Sequence, residues 1–228
     1  MNNLSIFDIA GPIMVGPSSS HTAGACKIGQ FARALFHGTP NKATFYLHGS
    51  FGKVYKGHAT DRALLAGVMK LRTSDPKIKN SFALAKQKNI NYKFIVKDLG
   101  EKYHPNTVKV VLANSKRKIE VTGSSVGGGI IEINKIDNFE VLLKGRAGKY
   151  LSLIIQHDKN PKIIPRLIKA LNKIGIQIVG IEKTNYKNKT LSVLSTEGRR
   201  ITLPEVIELE RNSEGVDYIR SLSKLEKQ

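Results

Sequence analysis

Between Gly16 and Ala25 the sequence reads Gly-Pro-Ser-Ser-Ser-His-Thr-Ala-Gly-Ala, which sets four hydroxyls and one imidazole just ahead of a segment with helical periodicity. The small residues that follow leave the helix N-terminus open. Unpaired backbone N–H groups, the positive end of the helix dipole and hydroxyl donors therefore converge on one place. A carboxylate or phosphate is held well there, and His21 can donate a hydrogen bond or move a proton, with the dipole favouring its neutral form. Capping is the plainer role for such residues. One serine suffices for a cap, whereas Ser18, Ser19 and Ser20 stand in a row before the histidine.

A second histidine sits at a glycine turn in Lys56-Gly57-His58-Ala59-Thr60-Asp61. Asp61 could orient a neighbouring imidazole; the simpler reading is that Thr60 caps the next helix and Asp61 favours its dipole. Two further segments are weaker by themselves. His104-Pro105-Asn106-Thr107 is a turn ahead of a strand, and in Gly127-Gly128-Gly129 the absence of side chains permits close backbone approach. A histidine in a turn is most often structural, and a run of glycines is as often a bulge or tight bend as a ligand contact.

These segments are held by a legible succession of elements. From Thr22 to Phe36 the apolar Ala25, Ile28, Ala32 and Leu35 fall at helical spacing, which predicts a helix directly after the hydroxyl-rich turn. Thr44 to Leu47 reads as a buried strand, followed by a loop containing Gly49, Gly52 and Gly57, and then by a helix presenting Leu64, Val68 and Leu71. A weaker helix, Ser81 to Lys88, precedes strands at Tyr92 to Val96, Val108 to Ala113, Ile119 to Thr122 and Ile130 to Ile136, with Asn114-Ser115 as a hairpin turn. Helices mixed with antiparallel strands predict an α+β domain over residues 1–146.

Near Lys144-Gly145-Arg146-Ala147-Gly148 a linker of glycine and charge marks a boundary, and a second domain is expected over residues 147–228. Strand Leu151 to Gln156, helix Pro161 to Ile174, strands Ile176 to Glu182 and Thr190 to Ser195, helix Pro204 to Arg211 and strand Asp217 to Ser221 give the ferredoxin-like order β-α-β-β-α-β. Pro161 suits a first helical turn and Gly175 a left-handed C-terminal cap.

Composition bounds the partners. A single cysteine, Cys26, excludes an internal disulfide and cannot by itself hold a zinc or iron–sulfur centre, which points to a reducing compartment and to no metal site within this chain. No segment approaches the ~20 apolar residues of a membrane helix, and no leader opens the sequence, so a soluble cytoplasmic protein is expected. Thirty-seven Lys and Arg against 18 Asp and Glu leave a net charge of +19. The lysines are spread along the whole chain, which describes a solvated surface better than a nucleic-acid footprint.

In sequence and spacing, Ser5-Ile6-Phe7-Asp8, Gly11-Pro12, the Gly16 to Thr22 block, Gly57-His58-Ala59-Thr60-Asp61, His104-Pro105-Asn106-Thr107 and Gly127-Gly128-Gly129 resemble the beta chain of bacterial iron–sulfur L-serine dehydratases. The resemblance covers nearly the whole chain and implies an ACT-type module at its end. It implies loss of water from L-serine to give aminoacrylate and then pyruvate and ammonia, without pyridoxal phosphate, at an unsaturated iron of a [4Fe-4S] cluster. The cluster would belong to a separate alpha chain. By the same resemblance His21 and His58 handle protons or bind substrate, Asp61 orients His58, and Ser18, Ser19, Ser20 and Thr22 contact the substrate's carboxylate or amine. His104, Asn106 and Gly128 complete the set. The ACT-type module is expected to join subunits, because the loop Asp158-Lys159-Asn160-Pro161-Lys162 carries Lys162 where ligand-binding members have Pro-Gly. Where the family has glycine after the second histidine this chain has Ala59, a change that matters only if the position needs positive φ.

Two other functions fit parts of the pattern. The amino-terminal domain also resembles the regulatory amino-acid-binding domain of some phosphoglycerate dehydrogenases, but no Gly-x-Gly-x-x-Gly accompanies it here, so a sensor role would need a partner. RNA binding by a basic ferredoxin-like sheet would need exposed aromatics on the central strands, and Leu151 to Gln156 and Thr190 to Ser195 contain none.

Overall fold

The computed structural model describes residues 14–145 and 151–222. The helix expected from Thr22 starts earlier and with a wider winding. Ser19–Gly24 forms a π-helical turn that runs directly into α1, Ala25–Phe36. Such turns are rare and occur mostly at functional sites. The apolar face of α1 is buried as its spacing requires, with Ala25, Ile28 and Ala32 fully enclosed and Leu35 nearly so.

Next come β1 (Lys42–Leu47), a short helix α2 (Gly49–Val54) and α3 (Thr60–Val68). α2 occupies a stretch read from the sequence as loop. α1 and α3 pack backbone to backbone: a side chain on Gly29 would run into the Leu64 carbonyl, and one on Gly67 into the Cys26 carbonyl. A 3-10 turn at Pro76–Asn80, capped by Asp75, leads into α4 (Ser81–Gln87) and β2 (Asn91–Val96). Then follow β3 (Thr107–Ala113), β4 (Lys118–Gly127), β5 (Ile130–Ile136) and β6 (Phe139–Gly145).

These strands form one sheet in the order β2-β1-β3-β4-β5-β6. β3 pairs antiparallel with β1 and β4, and β4 with β5. β1 and β2, however, run parallel from Lys42 beside Asn91 to Leu47 beside Val96. An all-antiparallel arrangement is thereby corrected; α2, α3 and α4 form the crossover that a parallel pair requires. β4 is irregular, with register shifts between Thr122 and Gly123 and between Ser125 and Gly127. Lys144 and Gly145, expected to open a linker, end β6, while Arg146 to Gly148 lie outside the described residues.

The chain divides into two compact units, the second built on the elements from β7 onward. It contains β7 (Leu151–Asp158), α5 (Ile163–Lys173), β8 (Ile176–Tyr186), β9 (Lys189–Gly198), α6 (Leu203–Arg211) and β10 (Val216–Leu222). The succession is β-α-β-β-α-β, with an antiparallel sheet in the order β10-β7-β9-β8. Ile164, Leu167 and Leu171 of α5 pack on Leu153, Ile155, Leu194 and Ile219 of the sheet. Each such buried aliphatic contributes about 1.5–3 kcal/mol over exposure. Gly175 takes φ +77° after α5, as a left-handed cap should, whereas Pro161 stands in the turn before the helix rather than in its first turn. α6 opens with a capping box between Thr202 and Glu205. Among the described residues no helix is long and apolar enough to cross a membrane.

Candidate functional site

The π-turn brings its histidine inward. Ser18, in extended conformation, caps the turn: its Oγ accepts the His21 backbone N–H at 3.2 Å and lies 3.4 Å from His21 Nδ1. On the other side of the ring, Nε2 is 3.1 Å from Ser50 Oγ in α2. The fully buried Phe51 meets the imidazole edge-on at 5.4 Å between centroids, and the exposed His58 ring lies 4.8 Å away. Thr22 is fully buried, and its hydroxyl donates to the His58 carbonyl at 3.1 Å, tying the two histidine segments together.

α2 is held in place by the third histidine segment. The His48 N–H donates to the Thr107 carbonyl at 3.0 Å and the Phe51 N–H to the Pro105 carbonyl at 3.3 Å. Within that turn His104 Nδ1 accepts the Asn106 N–H, and Thr107 Oγ1 lies 2.6 Å from the His104 carbonyl and 2.7 Å from Ser124 Oγ, which is itself 2.8 Å from Asn134 Oδ1. The Asn106 carbonyl accepts the Ser125 N–H at 2.9 Å, which anchors the turn to β4 at its second irregularity. Ser125 Oγ faces Gly24 so closely that a side chain at Gly24 would collide with it. Both Ser125 Oγ and Asn106 Oδ1 are buried without a hydrogen-bond partner among the described residues. The hydroxyl can donate or accept and the amide oxygen can accept, and each costs free energy until something pairs with it.

Two of the segments singled out in the sequence thus meet at His21, and a third holds α2, which carries Ser50. Ser19 and Ser20 are half-buried in the π-turn, with no side-chain hydrogen bond among the described residues. Gly128 sits at the tip of the β4–β5 turn with φ +57°; its neighbour Gly129 is tethered to α1 by Lys27 Nζ, which donates to the Gly129 carbonyl. Two expectations fail. Thr60 is not a cap, since Ala59 holds that position with φ +55° and the buried Thr60 hydroxyl has no partner among the described residues. Asp61 is not hydrogen-bonded to His58: its carboxylate accepts the Arg62 N–H at 2.7 Å.

Burial, and after it the neighbouring His58, holds the His21 imidazole below its ordinary value, so His21 is neutral near pH 7. Burial pushes the Asp61 carboxyl above its usual value, against the opposing pull of the Arg62 N–H. Sequence reasoning missed Ser50, Phe51 and Ser125. The pattern His48-Gly49-Ser50 repeats the pairing of histidine, glycine and hydroxyl seen elsewhere in the site, but only the fold brings it to His21.

The residues of this chain do not fit an iron–sulfur cluster. Cys26 is fully buried, with its thiol directed at the Leu71 carbonyl, and no group of three or more His, Cys, Asp and Glu able to hold a metal occurs among the described residues.

A family model described as serine dehydratase beta chain matches residues 5–135. The chain is 41% identical over 197 residues to the L-serine dehydratase beta chain of Peptoniphilus asaccharolyticus, covering 86% of each. It is 38% identical over 197 residues to a probable L-serine dehydratase beta chain of Bacillus subtilis strain 168, covering 86% of this chain and 88% of that one. It is also 32% identical over 195 residues to the L-serine dehydratase of Helicobacter pylori strain J99, of which it spans 42%.

Proposed function

The chain belongs to the serine dehydratase beta-chain family, and from that membership we propose that it forms one wall of a site where L-serine loses water, giving pyruvate and ammonia. The observation that carries the reading is the neutral His21 between two serine hydroxyls and beside His58, in a unit where Ser125 Oγ, packed against Gly24 of the π-turn, and Asn106 Oδ1 lack partners among the described residues. An amino-acid zwitterion offers both complements: its carboxylate suits hydroxyl donors, and its ammonium suits an amide oxygen such as Asn106 Oδ1. A neutral imidazole can hold a substrate oxygen without adding charge.

Because the donor set here cannot carry a [4Fe-4S] cluster, the cluster of such an enzyme belongs to a partner alpha chain, and the complete site lies where that chain meets this one. The Helicobacter relative, of which this chain spans 42%, has room for the remainder of such an enzyme. Support for an ACT-type second unit comes from its β-α-β-β-α-β order. Its role in this reading is to join subunits in the cytoplasm, with Lys162 occupying the effector loop.

The test is co-expression with a cysteine-bearing alpha chain, followed by anaerobic assay of pyruvate from L-serine. The complex should be active and the isolated chain inactive and colourless. A brown, active isolated chain would overturn the subunit assignment.

A further inference from the structure

The hydrogen bonds around His21 can be counted donor by donor. Ser18 Oγ already accepts the His21 backbone N–H, and its hydroxyl lies 3.4 Å from Nδ1. A hydroxyl has one proton to give, and a neutral imidazole has one nitrogen that donates and one that accepts. If Nδ1 accepts from Ser18, the ring carries its proton on Nε2 and donates it to Ser50 Oγ, 3.1 Å away. The reverse tautomer would aim Nδ1–H at an oxygen that already accepts one N–H, leave the Ser18 proton unused and consume the Ser50 proton on Nε2. Each arrangement leaves one hydroxyl proton free; the first spares Ser18 Oγ a second incoming N–H, and the free proton is then that of Ser50.

We propose that Ser50 is a substrate-binding residue, the open end of a Ser18–His21–Ser50 hydrogen-bond chain that presents one hydroxyl donor to an acceptor oxygen of the bound amino acid. Ser50 is half-buried and within reach of solvent, as a ligand-facing group must be. Its backbone is rigidly placed, since the flanking His48 and Phe51 N–H groups are bonded to the His104–Thr107 turn. The depressed His21 pKa keeps the chain in its neutral form near pH 7. The proposal rests on the serine dehydratase reading and adds a named donor to it.

Two measurements test it. Nitrogen-15 imidazole spectra of the full chain at pH 7 should show His21 as the Nε2–H tautomer. Ser18→Ala should weaken that preference, whereas Ser50→Ala should leave it intact. In the complex with the alpha chain, Ser50→Ala should lower kcat/KM for L-serine by about 10- to 100-fold, mainly through KM, as loss of a donor to a charged group predicts. Ser50→Thr, which keeps the hydroxyl, should recover most of it. A wild-type Nδ1–H tautomer, or an unchanged KM in Ser50→Ala, would overturn the proposal. A wild-type complex that makes no pyruvate counts against the dehydratase reading instead, and the tautomer, read without any assay, still decides the direction of the chain.

Discussion

The two units treat their buried polar atoms in opposite ways. Every unpartnered buried side-chain atom among the described residues lies in the first unit: Gln30 Oε1, Thr60 Oγ1, Ser81 Oγ, Asn106 Oδ1 and Ser125 Oγ. In the second unit the buried His157 uses both nitrogens, donating from Nδ1 to the Asp158 carbonyl at 2.7 Å and accepting at Nε2 from Ser192 at 2.9 Å. The buried Arg220 is paired with Glu210, and Lys189 bridges Asp158 and Asp217. The second unit also obeys the local rules of helix ends, with a capping box at Thr202 and glycine in its left-handed position at 175. The first has a π-turn and an alanine in the left-handed region. On the proposed reading the unit that meets the ligand keeps unpaired polar groups in reserve, whereas the other satisfies its own.

The largest test of that contrast is at His21. His21→Ala should lower turnover of the complex by about 10²-fold or more while leaving folding intact, the scale of a lost acid–base or hydrogen-bonding group. A control histidine is needed from the same helix. His37 ends α1 with φ +45°, so alanine would add backbone strain there and His37→Asn is the cleaner control. Equal losses from His21→Ala and His37→Asn would mean that the first unit gains nothing from its special geometry.

Next in size is a pair of serine deletions. Ser192→Ala removes the partner of a buried imidazole and should cost about 1–3 kcal/mol in urea unfolding. Ser125→Ala loses no hydrogen bond and should change stability by no more than about 0.5 kcal/mol while lowering activity of the complex. If Ser125→Ala proves as destabilising as Ser192→Ala, the two units do not differ in the way described.

Smaller effects are expected at the left-handed positions. Ala59→Gly should stabilise the chain by about 0.5–1 kcal/mol, because relief of left-handed strain outweighs the added freedom of the unfolded chain. Gly175→Ala should cost about 1 kcal/mol for the same reason in reverse. Melting temperatures of the two variants should move in opposite directions.

The smallest expected effect is on the pH dependence of stability. The folded His21 pKa lies below the unfolded 6.5, so the unfolded chain takes up a proton first as pH falls. Stability should therefore drop below pH 6.5 and level off once the folded value is passed. His157, also depressed by burial, adds a loss of the same sign. In urea midpoints measured from pH 8 to pH 5, His21→Gln should keep only part of the wild-type decline. An identical decline would show that His21 is not buried as described.

Much of this arrangement was legible from residue order. The buried positions of α1 and the β-α-β-β-α-β succession follow from apolar spacing, and the serine–histidine block announced a structured helix entry. What stayed hidden has physical causes. α2 contains Gly49 and Gly52 and too few apolar residues for a periodic signal; its helix is held by bonds to Pro105 and Thr107, far away in sequence. The direction of β2 is not encoded in alternation, since Tyr92 and Phe94 would face the same side of a strand running either way. Thr60 looked like a cap because a hydroxyl before an apolar run usually is one, yet the chain enters α3 through Ala59 at positive φ and moves the cap one residue upstream. Ser50 carried only the faint echo of a histidine–glycine–hydroxyl pairing until the fold set it beside His21.

The π-turn at Ser19–Gly24 makes the placement of His21 a matter of counting residues. An α-helix advances about 100° per residue, so removing one residue between His21 and Ala25 would swing everything upstream around the axis by more than a quarter turn. α1 and its packing on α3 would survive such a deletion, but His21 would no longer face Ser50. The phase of one wide turn, as much as the identity of the histidine it carries, thus determines whether this helix ends in a site or merely in a cap.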